Sequence, residues 1–281
     1  MRFGHWRLAP LCGICLALAA PGSPAYAQDA SSWDQDLRSA ARLIAGSATN
    51  GTGAAAMRAG VEIKMQPGWK TYWRYSGDSG VPPRFDFGKS DNVKSVTVLW
   101  PAPYSFTDES GISIGYKSDV IFPLQIVPWQ AGQPVTLRLK LDYAVCEKLC
   151  VPAQAAAELA LSGAASTHDK SLAAAEARVP KPVSPGEAGF SARRVTSSPK
   201  PLVYVELAAP PGVNVEIFVE GPGPEWALPI PKPAQGAPLD RRHFGFELDG
   251  LPPGVDPKGR YELTFTVVTG EKAVEVKTHL D

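Results

Sequence analysis

Apolar and polar residues alternate without a break through PVTLRLKLDY, where Val135, Leu137, Leu139 and Leu141 are set against Thr136, Arg138, Lys140 and Asp142. A period of two turns one face of a segment to a core and the other to water, the signature of a half-buried strand. The same pattern runs through AGVEIKMQ, with Val61, Ile63 and Met65 against Glu62, Lys64 and Gln66. WKTYWRY (69–75), VKSVTVLW (93–100) and VIFPLQIV (120–127) are further strand candidates, divided by Gly, Pro, Asp and Ser clusters such as SGDSGVPP (76–83). This spacing predicts an all-β, antiparallel sandwich. The segment SSWDQDLRSAARLIAG (31–46) reads two ways. Trp33, Leu37, Ala41 and Ile44 fall near helical spacing, while RLIA suits an edge strand.

From residue 166 to about 200 the character changes. Pro180, Pro182, Pro185 and Pro199 lie among Ser, Ala and Lys, a composition that disfavours helix and central strand and predicts a linker. Beyond it LVYVEL (202–207), VNVEIFV (213–219), HFGFELD (243–249), RYELTFTVV (260–268) and KAVEVKT (272–278) alternate again. A second, smaller β domain is expected over 201–281, after a first over 28–165 and a linker over 166–200.

Residues 1–27 have the form of a removed signal peptide: Arg2 and Arg7, the apolar run Leu8–Ala20, then Ala25-Tyr26-Ala27. Cys12 and Cys15 lie in that run and are expected to leave with it. No later stretch supplies about 18 consecutive apolar residues, so the mature chain is expected to be soluble, without a membrane span, and periplasmic. Its 28 basic and 28 acidic side chains balance, so no long-range field draws it to nucleic acid or an anionic membrane. A Gly-rich phosphate loop is likewise missing from the sequence.

Cys146 and Cys150 then remain, in YAVCEKLCVP (143–152). Export places them where disulfides persist. Four steps along a strand cover roughly 13 Å, whereas bridged Cα atoms stand about 4.4–6.8 Å apart, so the two can pair only across a bend at Glu147-Lys148-Leu149. Closing so short a loop contributes roughly 2 kcal/mol, against a domain stability of about 5–15 kcal/mol. A bond of that size suits a reversible redox element, and a structural staple in a secreted binding protein is the competing reading. A copper or zinc module would need further ligands from His168, His243, His279, Met57 or Met65, none near the pair in sequence. No cofactor and no resident metal are expected. Lys148 would favour a neighbouring thiolate and Glu147 would oppose it. Alternation puts Trp69 and Trp73 on the strand face opposite Tyr72, so some of these rings fill the core while others reach the rim.

GWKTYWRYSGDSGVPP (68–83), SIGYKSDVIFPLQI (113–126) and YAVCEKLCVPA (143–153) together resemble the amino-terminal periplasmic domain of the thiol:disulfide interchange protein DsbD family, over roughly residues 40–162. The resemblance implies an immunoglobulin-like sandwich whose cysteine pair passes electrons from a membrane reductase domain to oxidised periplasmic proteins, a protein-disulfide reductase-like activity. It implies Cys150 as the attacking thiol and Cys146 as its resolving partner. It also implies a short aromatic cap ahead of the motif, for which Ile114 and Tyr116 are the candidates, with Tyr72 at the rim. The C-x-x-x-C spacing is tighter than in the best-known members and similar to that of larger relatives linked to copper tolerance. The chain is expected to lack the membrane carrier and the thioredoxin-like domain of the family protein. Its expected partners are therefore a separate membrane electron donor and periplasmic thioredoxin-like proteins.

Overall fold

The computed structural model describes residues 1, 28–48, 56–108, 111–195, 200–209, 212–234 and 241–280. The signal-peptide expectation, with Cys12 and Cys15, lies outside them. Among the described residues no helix is long and apolar enough to cross a membrane.

The first half of the chain is built of β1 (Asp34–Gln35), β2 (Ser39–Ala45), β3 (Met57–Met65), β4 (Thr71–Gly77), β5 (Arg84–Asp86), β6 (Val93–Val98), β7 (Tyr104–Asp108), β8 (Gly111–Tyr116), β9 (Val120–Pro128), β10 (Val135–Cys146) and β11 (Cys150–Leu161). They form three antiparallel sheets, ordered β1-β2-β3-β9-β6, β11-β10-β5 and β4-β8-β7. The alternating residues point as their period requires. Leu43, Val61, Phe122, Leu137 and Leu141 are buried together with Trp73 in one core. The nearly all-strand, antiparallel architecture agrees with the immunoglobulin-like sandwich expected.

Segment 31–46 is strand rather than helix. The Asp36 carboxylate accepts from the backbone N–H groups of Arg38 and Ser39 at 2.7 and 2.8 Å, an Asx turn that reverses the chain between β1 and β2. It leaves Leu37, one of the residues at helical spacing, 87% exposed.

Residues 166–200, expected as a linker, hold α1 (Asp169–Ala177), β12 (Lys181–Val183), α2 (Pro185–Ala188) and β13 (Phe190–Val195). Two of its prolines sit where the backbone tolerates them. Pro182 lies in β12, an edge strand paired parallel to the last strand of the chain, and Pro185 opens α2 behind a Ser184/Glu187 capping box. Helix α1 packs against the first half. Leu172 is fully buried in space left by two glycines, since a Cβ on Gly46 or Gly60 would stand 2.7 or 2.8 Å from its methyls. Arg58 adds ion pairs to Glu176 at 2.8 Å and Asp169 at 3.3 Å.

The second β unit comprises β14 (Leu202–Ala208), β15 (Val215–Glu220), β16 (Lys232–Pro233), β17 (Arg241–Glu247), β18 (Tyr261–Thr269) and β19 (Lys272–Leu280). With β12 and β13 they form two four-stranded sheets, β12-β19-β18-β15 and β13-β14-β17-β16. Their inner faces bury Val203, Val205, Ile217, Phe246 and Phe265. Phe218 and Val268 from this unit are buried in the first core instead, so apolar packing continues from one unit into the other.

Candidate functional site

Strands β10 and β11 form a hairpin that pairs from Val135↔Leu161 to Cys146↔Cys150 without a register shift. Glu147-Lys148-Leu149 make the exposed bend. Opposition at the last rung brings the two Cα atoms to 4.1 Å, and the cysteines are joined by a disulfide.

Strand parity puts both sulfurs on the face turned away from the main core, and position along the hairpin sets how far each is covered. Tyr143 and Val145 face the main core, so Ala144 and Cys146 face the other way, where they form a small cluster with Tyr72. Cys146 is 2% exposed, whereas Cys150 is exposed beside Leu149, itself 79% exposed. The Tyr72 hydroxyl donates to Cys146 Sγ at 2.7 Å and lies 3.1 Å from Cys150 Sγ. One phenol thus reaches both sulfurs.

Strand β4 is tied to this end of β10 by backbone and side chain. Lys70 and Cys146 exchange both backbone hydrogen bonds at 2.9 Å, and Thr71 Oγ1 donates to the Ala144 carbonyl at 2.9 Å. Above the Tyr72 ring runs the loop after β4. Gly80 there has φ +108°, and a Cβ on it would fall 2.2 Å from Tyr72 Cε1; only glycine fits so close an approach with that backbone.

Ile114 and Tyr116 are not at the disulfide. In the β4–β8 ladder Tyr72 opposes Gly115, so the neighbours of Gly115 project from the opposite face. Both are buried in the main core. The Tyr116 hydroxyl donates to the Pro101 carbonyl at 2.8 Å, its ring stands edge-on to Phe122 at 5.4 Å, and burial pushes its phenol well above its ordinary pKa. The cap expectation at these two residues is therefore corrected: what covers Tyr72 is the loop carrying Gly80.

Phe106 was missed. It opposes Ser113 in β7–β8, on the same face as Gly115 and Tyr72, and it is buried under Lys70 Nζ at 4.6 Å and Lys117 Nζ at 5.2 Å. The alternation of Tyr104 with Phe106 before the Ser-Gly of the following hairpin is the signal that could have found it. Trp73 lies in the main core, on the face opposite Tyr72, as alternation predicts. His243 stands 3.4 Å from Glu206 in the second unit, and His168 precedes α1. Among the described residues no group of three or more His, Cys, Asp or Glu side chains is gathered for a metal.

A disulfide at the tip of a hairpin, half covered and touched by a phenol, is the arrangement on which comparison with known proteins bears. Residues 43–162 match the family described as thiol:disulfide interchange protein DsbD, N-terminal. This DsbD-type stretch contains Tyr72, Gly80, Cys146 and Cys150, and with the Cys146–Cys150 bond it is a module for thiol–disulfide exchange. The fold extends beyond it. The crystal structure of the N-terminal periplasmic domain of ScsB from Proteus mirabilis superposes with a TM-score of 0.69 over 90% of this chain and 98% of that one, at 20% identity. The DsbD-type stretch and the second β unit thus recur together in one solved fold. No curated protein matches the chain by sequence.

Proposed function

We propose that the protein is a periplasmic thiol:disulfide interchange protein that relays electrons through Cys146 and Cys150. The asymmetry of the pair carries this reading: Cys150 is open to solvent while Cys146 is covered. Exchange requires in-line access to a sulfur, and Cys150 offers it.

In the charging direction a thiolate of a donor dithiol attacks Cys150 Sγ. The Cys146–Cys150 bond breaks, a mixed disulfide forms, and Cys146 leaves as a thiolate. The donor's second thiol then attacks its own half of the mixed disulfide and frees Cys150, so the donor is oxidised and the pair reduced. In the discharging direction the Cys150 thiolate attacks an acceptor disulfide. Cys146 next attacks Cys150 Sγ, which restores the intramolecular bond and releases the acceptor as a dithiol. The hydroxyl of Tyr72 is placed to donate to Cys146 as negative charge develops there, a charge-assisted bond stronger than the one to a disulfide sulfur. The donor is a membrane electron carrier and the acceptors are thioredoxin-like periplasmic proteins, as the DsbD resemblance implies.

Trapping tests the reading. A Cys146→Ala variant should accumulate mixed disulfides through Cys150 with thioredoxin-like proteins of the periplasm, and a Cys150→Ala variant should trap far fewer. Equal trapping by both removes the assignment of roles. No trapping by either removes the relay.

A further inference from the structure

The strand that carries Tyr72 is incompletely held by its own sheet. Strand β4 pairs with β8 at Thr71↔Tyr116 and Tyr72↔Gly115, and the next rung is Gly77↔Ser113, with the register broken between. The residues in that break are gripped by the second β unit. The Trp73 ring stands 5.9 Å from that of Phe218. Arg74 donates from Nε and Nη2 to Glu220 at 2.7–3.0 Å and from Nη2 to Glu275 at 2.7 Å. The Tyr75 hydroxyl donates to the Leu228 carbonyl. On the neighbouring strand β7, the Ser105 N–H donates to Glu216 at 3.2 Å.

An ordinary contact between two β units would need no such placement. Here three consecutive side chains, starting one peptide after Tyr72, replace the missing ladder of β4. The Arg74 cluster is half-buried, and although burial opposes its charge, the hydrogen bonds and charges of Glu220 and Glu275 raise the guanidinium's pKa above its ordinary value. An ion cluster shielded in this way resists screening and fixes geometry better than an exposed pair.

We propose that the second β unit is a brace for the redox pair: by fixing residues 73–75 it sets the reach of the Tyr72 hydroxyl onto Cys146 Sγ, and so sets the balance between dithiol and disulfide. Arg74 and Tyr75 are positioning residues in this scheme, acting through Tyr72. The biological use of the brace rests on the relay reading, but its physical effect does not. A thiolate accepts a hydrogen bond more strongly than a disulfide sulfur, so loosening Tyr72 shifts the balance toward the disulfide.

The test is the equilibrium of the Cys146–Cys150 pair in the full chain with a buffer of oxidised and reduced dithiothreitol, read by acid quench, alkylation and mass. Tyr72→Phe should move it toward the disulfide by about tenfold, the scale of one hydrogen bond to a charged group. Tyr75→Phe, and separately Glu220→Gln combined with Glu275→Gln, should each move it the same way by about threefold. In a Tyr72→Phe background neither should add anything, because coupled residues are non-additive. Brace variants that match the unaltered protein overturn the proposal, and so do shifts of equal size with and without Tyr72. Tyr75→Phe removes one oxygen atom and decides the matter if the charge variant fails to fold. Failure of the relay would show instead as absent trapping, with the dithiothreitol shifts intact.

Discussion

The backbone of Gly80 presses on the ring of Tyr72, so closely that a methyl group at Gly80 would stand 2.2–2.4 Å from three ring carbons. The approach needs a glycine twice over, for space and for its φ of +108°. It confines the ring whose hydroxyl reaches both sulfurs.

Gly80→Ala should therefore be costly although the loop lies near the surface. Backbone strain alone is worth about 1–3 kcal/mol, and relief requires the Tyr72 ring to move off the sulfurs. The denaturant midpoint should fall, and the environment of the Tyr72 ring protons in NMR spectra should change. Gly132, with φ +79° and open space around it, is the control: alanine there should carry only the backbone penalty and leave the Tyr72 signals in place.

Reducing the disulfide should leave the fold in place. The β10–β11 ladder continues through eleven rungs beyond the cysteine pair, and Lys70 holds Cys146 by two backbone hydrogen bonds. The loss is about 2 kcal/mol or less for so short a loop. Urea midpoints of the oxidised and the reduced, alkylated protein should lie close together. A reduced form already unfolded at room temperature would make the bond a staple.

How much of this was legible in the sequence depends on range. The alternation that fixes which face of β10 is buried is local, so Leu137, Leu139 and Leu141 could be assigned from their neighbours, and the parity of Tyr72 against Trp73 likewise. The bend between Cys146 and Cys150 followed from spacing. Ile114 and Tyr116 went to the wrong face because their parity relative to Tyr72 is set by the rung Tyr72↔Gly115, a pairing between segments more than forty residues apart. The order in 166–200 was hidden for a related reason. Leu172 is stabilised by the absence of side chains at Gly46 and Gly60, and no property of the proline-rich segment itself reports that.

Leu172→Ala should detach α1 or leave a cavity beneath it, at about 2–5 kcal/mol for a fully buried leucine. Hydrogen exchange of the α1 amides should accelerate in the variant. Amides of β18, in the second core, should keep their protection relative to the global stability of each protein.

Alkaline pH should weaken the grip on β4. Burial, then the Asp78 and Glu220 carboxylates, push the Tyr75 phenol from its ordinary 10 to about 12. A pKa raised on folding means that the neutral form is favoured by the fold. The associated stability is present in full below pH 10 and is lost progressively as pH rises toward about 12. Tyr75→Phe removes that contribution, so its stability should decline less steeply over this window. Burial also raises Tyr143, so the variant should flatten the decline without abolishing it. Denaturant midpoints of both proteins across the window measure the difference.

The unbroken register of β10 and β11 has a kinetic consequence. Reduction cuts the sulfur–sulfur bond but not the rungs that hold Cys146 opposite Cys150, so the two thiols remain neighbours at a high effective concentration. Under the proposed roles, a partner joined to Cys150 would face a resolving Cys146 thiolate that has almost no distance to travel. In the proposed relay, captured complexes should accordingly be short-lived, with the hairpin acting as a timer that releases its cargo soon after contact.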